Sequence, residues 1–305
     1  MTAAGDVPKK GSDPFFVEAL HPLFGGEVRG LDLRELPSAA LVARIEALVD
    51  DLGVLVIRDQ TLDDDEHIAL SRAFGPLELP PDYGTGMPRR LRRELYDASN
   101  LGVDGKMLAA DSPRREYNRA NLTFHADSTF NDLPTKWSLL LSHVVPPAGG
   151  NTELIDTRVV YDDLPEALKQ RIAGLRGVHD LWQSHREGRH FKVTDEMRRR
   201  MPPVEQDIVR TLPGGRKALC IGSHVSGISG LPADESRALL DELYAFATEP
   251  KYVYSHPWRK GDLLIWDNRT TLHRAVPWQD NGQVRDLRRT TILESGPEIS
   301  ATDPR

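Results

Sequence analysis

One cysteine in 305 residues, Cys220, excludes an intrachain disulfide and any zinc cluster built on thiolates. It stands in an apolar run, 218–221, and reads as a small buried hydrophobe. Long apolar runs are missing too: none approaches the roughly 18 residues that a membrane span requires. The polar stretch 1–14 has no apolar core of a secretory signal, so a cytoplasmic, soluble protein is expected. Nor is there a basic excess. Lys and Arg total 39 against 46 Asp and Glu, for a net charge of −7 and a pI near 5.8. That balance argues against a general nucleic-acid binder. His-Glu-x-x-His spacing is absent even from the His- and Arg-rich stretch 184–200, so no zinc site is read there. A solvated surface insert is the expectation for that stretch, with a substrate lid as the alternative. No repeat and no break in composition marks a second domain, and one domain over 14–295 is expected.

What is present describes a globular chain, 39% hydrophobic and 28% charged. Residues 1–13 and 296–305, rich in Gly, Ser, Pro and charge, read as flexible tails. From Ser38, the spacing of Leu41, Val42, Ile45, Leu48 and Val49 predicts an amphipathic helix. Val54-Leu55-Val56-Ile57 reads as a buried strand. Thr61 with Asp64 resembles a capping box that opens a helix running to Phe74, stopped by Gly75-Pro76. The segment 77–93, with its prolines, glycines and four arginines, is read as a long loop, either a lid or a solvated connection. Strands are expected at 136–145, 151–156, 217–222, 261–267 and 285–293, and helices at 162–175 and 232–248. His143, inside an apolar run, reads as a core or edge histidine. Many short strands, helices confined to inserts and no βαβ alternation predict a mainly β fold with helical inserts, a sandwich or jelly roll.

The chemistry centres on Asn121-Leu-Thr-Phe-His-Ala-Asp-Ser-Thr-Phe130. Its Thr and Phe favour a strand, in which His125 and Asp127, two apart, project from one face. An imidazole and a carboxylate hold a divalent transition metal but leave it incomplete. The candidate third ligand is His273, just after the stretch 261–267 and the turn Asn268-Arg269. Two His and one Asp form the facial triad of non-haem Fe(II) oxygenases, with positions open for a bidentate cosubstrate and O₂. The commonest such cosubstrate is 2-oxoglutarate, whose far carboxylate suits a guanidinium. Arg285 and Arg289 share a strand face about 13 Å apart at roughly 3.3 Å per residue, a spacing for two separate anions. Arg285 is assigned to 2-oxoglutarate and Arg289 to an anionic substrate. The alternative is a solvated strand face.

The pattern His125-x-Asp127, Gly149-Gly150-Asn151-Thr152, Trp266-Asp267-Asn268-Arg269-x-x-x-His273 and Arg285-x-x-x-Arg289 resembles the Fe(II)/2-oxoglutarate-dependent taurine dioxygenase family, and within it the 2,4-dichlorophenoxyacetate (aryloxyalkanoate) dioxygenase branch. His21-Pro22-Leu23-Phe24 and Ile221-Gly222-Ser223-His224 add to the likeness, which spans about residues 20–293. It implies a double-stranded β-helix of the clavaminate synthase type. It implies His125, Asp127 and His273 as iron ligands, and Thr152 beside Arg285 at the 2-oxoglutarate carboxylate. Asn121 would stand near cosubstrate and substrate, with Arg289 on the substrate's anionic group. Hydroxylation of an aryloxyalkanoate, in a route of aryloxyalkanoate catabolism, is the implied activity, with succinate and CO₂ formed from 2-oxoglutarate. The same chemistry on a sulfonate, sulfate ester or other carboxylic acid is the first alternative. A non-catalytic metal-binding jelly roll and a metal-dependent hydrolase are the others. The partners expected are a small anionic molecule and further copies of the chain, with neither nucleic acid nor membrane. Phe124, where a Trp is usual, and a one-residue-longer spacer from His273 to Arg285 depart from the family pattern.

Overall fold

The computed structural model describes residues 15–79, 83–185 and 191–295. The tails 1–13 and 296–305 lie outside the described residues, as do Pro80 and Pro81 of the long loop and Arg186, Arg189 and His190 of the basic stretch. The strands in chain order are β1 (Phe16–Ala19), β2 (Gly26–Arg29), β3 (Val54–Ile57), β4 (Tyr96–Asp97), β5 (Thr135–Val144), β6 (Thr152–Asp156), β7 (Arg176–His179), β8 (Val204–Asp207), β9 (Val209–Thr211), β10 (Lys217–Leu219), β11 (Val225–Ile228), β12 (Tyr254–His256), β13 (Leu263–Asp267), β14 (Thr271–Ala275) and β15 (Asp286–Leu293). The helices are α1 (Ala39–Leu52), α2 (Asp64–Arg72), α3 (Pro113–Asn118), α4 (Thr157–Asp163), α5 (Glu166–Ile172), α6 (Asp195–Arg200) and α7 (Ala233–Ala247).

A seven-stranded sheet runs β1-β2-β3-β13-β5-β15-β4, and a three-stranded sheet, β12-β6-β14, faces it. Every pair in both is antiparallel except β2–β3. This is the expected jelly roll. Side-chain alternation explains why its strands are apolar on both faces. Leu55, Ile57, Leu139, Leu141, Leu263 and Ile265 point outward into a core with Ile45, Val49, Ile68 and Leu70 of α1 and α2. Their neighbours Val54, Val56, Leu140, Leu264 and Trp266 point inward and meet Leu154 of the smaller sheet. On that sheet's other side, Ile155 and Leu272 pack on Leu239, Leu240 and Leu243 of α7. Both layers are thus closed, and the space between the sheets opens at one end.

Three local expectations are corrected. The second helix is capped by Asp63 with Glu66, not by Thr61 with Asp64: Asp63 accepts from the Glu66 amide and Glu66 accepts from the Asp63 amide. The stretch read as one helix over 162–175 holds the last two residues of α4 and the whole of the short α5. Pro165 divides them because it disfavours a helical Leu164 before it. The stretch 121–130 is not a strand, and its geometry is taken up with the site below.

The segment leading into β4 is tied to the sheet by charge. Arg90 donates to Asp97 (2.8 Å) and to Asp286 at the start of β15 (2.6 Å), with all three side chains largely buried. Residue 90 is therefore pinned beside the start of β15. Cys220 is buried as expected, and His143 is half-buried on β5.

Candidate active site

His125, Asp127 and His273 converge at that open end, with one ligand atom from each within 4.8 Å of the others. All three are buried. His273 lies on β14, as its position after a strand and turn requires. His125 and Asp127 get there by another route than the alternation of a strand. Residues Arg119–Leu122 form a 3-10 turn, His125 makes one isolated antiparallel bridge, and 127–130 turn away, with Ser128 at φ 56°. The bridge partner is His273 itself, through His125 N–H to His273 O (3.0 Å) and the reverse bond (2.8 Å). The flanking backbone is satisfied by a side chain of α7 and by a loop, not by a neighbouring strand. Phe124 N–H donates to the Tyr244 hydroxyl, and Ser223 N–H donates to Phe124 O.

Gly222 makes this approach possible. Its φ is +128°, and a Cβ there would lie 3.1 Å from His125 Cα and 3.2 Å from Phe124 O. Gly222→Ala is expected to cost about 1–3 kcal/mol of stability and to weaken metal binding about tenfold by displacing His125. Thermal unfolding and titration with Mn(II) measure the two effects. Unchanged values for both would show that the approach has slack.

The donor set suits Fe(II). His125 Nδ1 is 2.8 Å from Thr123 O; as an N–H donor there, it turns the Nε2 lone pair towards the triad. Burial pushes the His273 pKa well down, which keeps the imidazole in its ligating, neutral form. Burial alone would raise the Asp127 carboxyl; Arg289 first, then His273 and His125, outweighs it and holds the group anionic. Asp127 is also aimed by a chain of hydrogen bonds. Asn268 donates to Thr135 Oγ1 and Ser138 Oγ, and Ser138 Oγ–H donates to Asp127 Oδ2 (2.9 Å). Asn268 belongs to the Trp-Asp-Asn-Arg stretch, so that motif reaches Asp127 through a serine on β5.

Next to the triad is a cavity of about 480 Å³ lined by Asn121, Thr152, Arg285, Arg289, His125 and His273. Arg285 donates Nε to Gly150 O (3.2 Å) and Nη1 to Ala98 O (2.9 Å), both neutral acceptors. Burial lowers its pKa to about 10. A buried guanidinium whose named partners are carbonyls has donors and charge left for an anion. Thr152 Oγ1 accepts from the Trp258 indole (3.1 Å), and Asn121 Nδ2 donates to the Tyr96 hydroxyl. Arg289 is placed differently from the expectation of a residue given over to substrate. Its Nη1 donates to both Asp127 oxygens (2.6 and 2.7 Å), its guanidinium lies 4.7 Å from the Tyr96 ring centre, and its Nε has no partner. Arg289 therefore joins the metal carboxylate to the cavity.

Several residues of the site had no role in the sequence reading. Glu78, from the long loop, accepts from Ser128 Oγ (2.8 Å) and Asn131 Nδ2 (2.6 Å) and so pins the turn after Asp127. Burial raises its carboxyl pKa. Tyr83, Tyr117, Phe130, His185 and His224 line a narrow slot on the other side of His125, Asp127 and Arg289. His185 was expected in a solvated insert. It is buried instead and stacks on Tyr117, ring centres 4.8 Å apart at 25°. His224 meets Phe130 edge-on at 4.9 Å. A histidine within a run of arginines gives no outward sign of burial. His224 lay in a stretch that contributed to the family likeness, the nearest thing to a signal.

The family model described as "Taurine catabolism dioxygenase TauD, TfdA family" matches residues 17–291. The chain is 44% identical over 278 residues to the alpha-ketoglutarate-dependent 2,4-dichlorophenoxyacetate dioxygenase of Burkholderia sp. (strain RASC), covering 90% of this chain and 93% of that protein. It is 34% identical over 276 residues to the (S)-phenoxypropionate/alpha-ketoglutarate-dioxygenase of Sphingobium herbicidovorans, covering 88% and 91%. Among solved structures, that of AAD-2 in complex with Mn(II) and N-oxalylglycine superposes with a TM-score of 0.87 at 38% identity, covering 94% of this chain and 100% of that one.

Proposed function

Since the chain belongs to the TauD/TfdA family of dioxygenases, we propose that it is an Fe(II)- and 2-oxoglutarate-dependent dioxygenase whose substrate is an aryloxyalkanoate such as 2,4-dichlorophenoxyacetate. The observation that carries the substrate class is the pairing of Arg289, its Nε unpartnered, with the aromatic slot of Tyr83, Tyr117, Phe130, His185 and His224. A cation with an aromatic enclosure beside it suits an aromatic acid better than an aliphatic sulfonate.

His125, Asp127 and His273 would hold the metal. Thr152 and Arg285 would hold the far carboxylate of 2-oxoglutarate, with Asn121 alongside. Bound Fe(II), with 2-oxoglutarate and O₂, supplies the oxidation: the cosubstrate leaves as succinate and CO₂, and one oxygen atom enters a substrate C–H bond. The protein's part is placement. Arg289 grips the substrate carboxylate, the slot takes the ring, and the carbon between them is presented to the triad. Hydroxylation at that ether carbon gives a hemiacetal that collapses to a phenol and an oxo acid. The aromatic walls, with Phe130, His185 and His224 buried and Tyr83 and Tyr117 half-buried, limit water at the reacting carbon.

Residues 14–295 form one catalytic domain in this reading, supported by a sheet whose strands come from Phe16–Ala19 through Asp286–Leu293. A cytoplasmic enzyme that self-associates completes it; among the described residues no helix is long and apolar enough to cross a membrane.

The test is O₂ consumption and succinate release by anaerobically Fe(II)-loaded protein with 2-oxoglutarate, across a panel of aryloxy acids, alkyl sulfates and taurine. Strong stimulation by aryloxy acids, with the phenol released, is the expected result. Stimulation by sulfate esters or sulfonates alone would replace the substrate class. No O₂ consumption with any acid would favour the hydrolase or non-catalytic alternatives.

A further inference from the structure

Thr152 is held by a residue that does not line the cavity. The indole N–H of Trp258 donates to Thr152 Oγ1 at 3.1 Å, in a buried contact. Trp258 is itself fixed: it follows β12, whose His256 pairs in register with Thr152, and the His256 ring meets it edge-on at 4.6 Å and 85°. His256 is held in turn by Asp262 through Nε2 (3.1 Å) and by the Tyr254 hydroxyl at Nδ1 (3.2 Å). The rest of the Trp258 ring packs among Leu140, Leu154, Leu264 and Leu287 between the sheets.

The consequence is a matter of hydrogen-bond direction. An indole N–H can only donate, whereas a threonine hydroxyl has one proton and two lone pairs. With one lone pair taken from behind by Trp258, the cheapest use of the Thr152 proton is on an acceptor in front. The cavity in front is where Arg285 also presents its remaining donors. Donors without a competing acceptor define a carboxylate site. We propose that Trp258 is a positioning residue for the cosubstrate, committing the Thr152 hydroxyl to donate to the far carboxylate of 2-oxoglutarate. The proposal rests on the cosubstrate reading given above.

Binding to Mn(II)-loaded protein, measured by calorimetry without substrate, separates the two. The probes are 2-oxoglutarate and 2-oxopentanoate, which keeps the chelating end and has a methyl group where the far carboxylate would be. Trp258→Phe and Trp258→Leu both remove the donor, so a single misfolded variant does not decide the result. Each is expected to weaken 2-oxoglutarate binding on the order of 5- to 20-fold and to leave 2-oxopentanoate within about twofold. Thr152→Val should show a similar loss, and the double variant Thr152→Val/Trp258→Phe no more than Thr152→Val alone. Equal losses for both oxo acids, or additive losses in the double variant, would make Trp258 a packing residue and overturn the proposal. A loss with Thr152→Val but none with Trp258→Phe would overturn it while leaving the cosubstrate reading intact. No loss with Thr152→Val would overturn the assignment of the anchor itself.

Discussion

Asp127→Ala is expected to lower kcat/KM by on the order of 10³-fold or more, because it removes one of three ligands and the only anionic one. Metal affinity should fall by more than the 10- to 100-fold that follows loss of an outer partner. A second effect separates this substitution from simple loss of a ligand. Asp127 is also the carboxylate that neutralises Arg289, whose Nη1 bonds to both of its oxygens. Breaking a buried pair by removing one partner leaves a charge behind, at a typical cost of about 3–5 kcal/mol. Arg289 borders a cavity and faces Glu78 as a second anion, so about 1–3 kcal/mol is the better expectation here. Thermal unfolding in the presence of a chelator should therefore show a lower midpoint for the variant than for the parent. Equal midpoints in chelator would mean that the Arg289–Asp127 pair contributes nothing to the fold.

Arg289→Ala is expected to reduce kcat/KM for an aryloxyacetate by about 10²- to 10³-fold, through loss of a charge-assisted contact and the misplacement of the reacting carbon. Affinity for 2-oxoglutarate should change by less than about threefold, since Arg285 and Thr152 are separate from Arg289 and effects at independent sites add. Turnover by the Fe(II)-loaded protein gives the first answer, and the binding measurement on Mn(II)-loaded protein gives the second. Metal affinity is the informative control, because Arg289 touches Asp127. If metal, cosubstrate and substrate binding all collapse together, Arg289 serves to hold the triad, and the division between two arginines is wrong.

The fold was legible where burial wrote a pattern into the chain. α1 has the boundary that Ser38 and its apolar spacing predict, and β3, β5, β6 and β13 lie within a residue or two of the expected runs. The triad was legible as a set of residues but not as a geometry. His125 and Asp127 were read through strand alternation, yet they are brought to His273 by one backbone bridge, a 3-10 turn and a close approach by Gly222. Irregular backbone of this kind has no period for a sequence to display. It exists because distant groups, the Tyr244 hydroxyl and the Ser223 amide, satisfy the peptide groups that a strand partner would otherwise take. Glu78 and His185 were hidden for a related reason. Both sit in segments whose composition left a lid and a solvated connection open, and only tertiary contact turns them inward. The Asp63 cap was a competition between adjacent candidates, settled by which side chain could pair with Glu66.

The order of strands in the large sheet also bears on how the chain is made. β5 lies between β13 and β15, strands that begin more than a hundred residues later. During synthesis its two edges stay open until distant strands emerge, the β13 edge until residue 267 and the β15 edge until residue 293. Nothing local can close them early, because the residues that would do so do not yet exist. Folding to the finished sheet is therefore an event of high contact order, slow by the standard of helical proteins. Arg285 and Arg289 arrive with that last strand, so the cavity gains its two guanidinium groups only when that strand pairs. A chain interrupted before residue 285 would leave the β15 edge of β5 open and lack both guanidinium groups of the cavity, which makes it a client for chaperones.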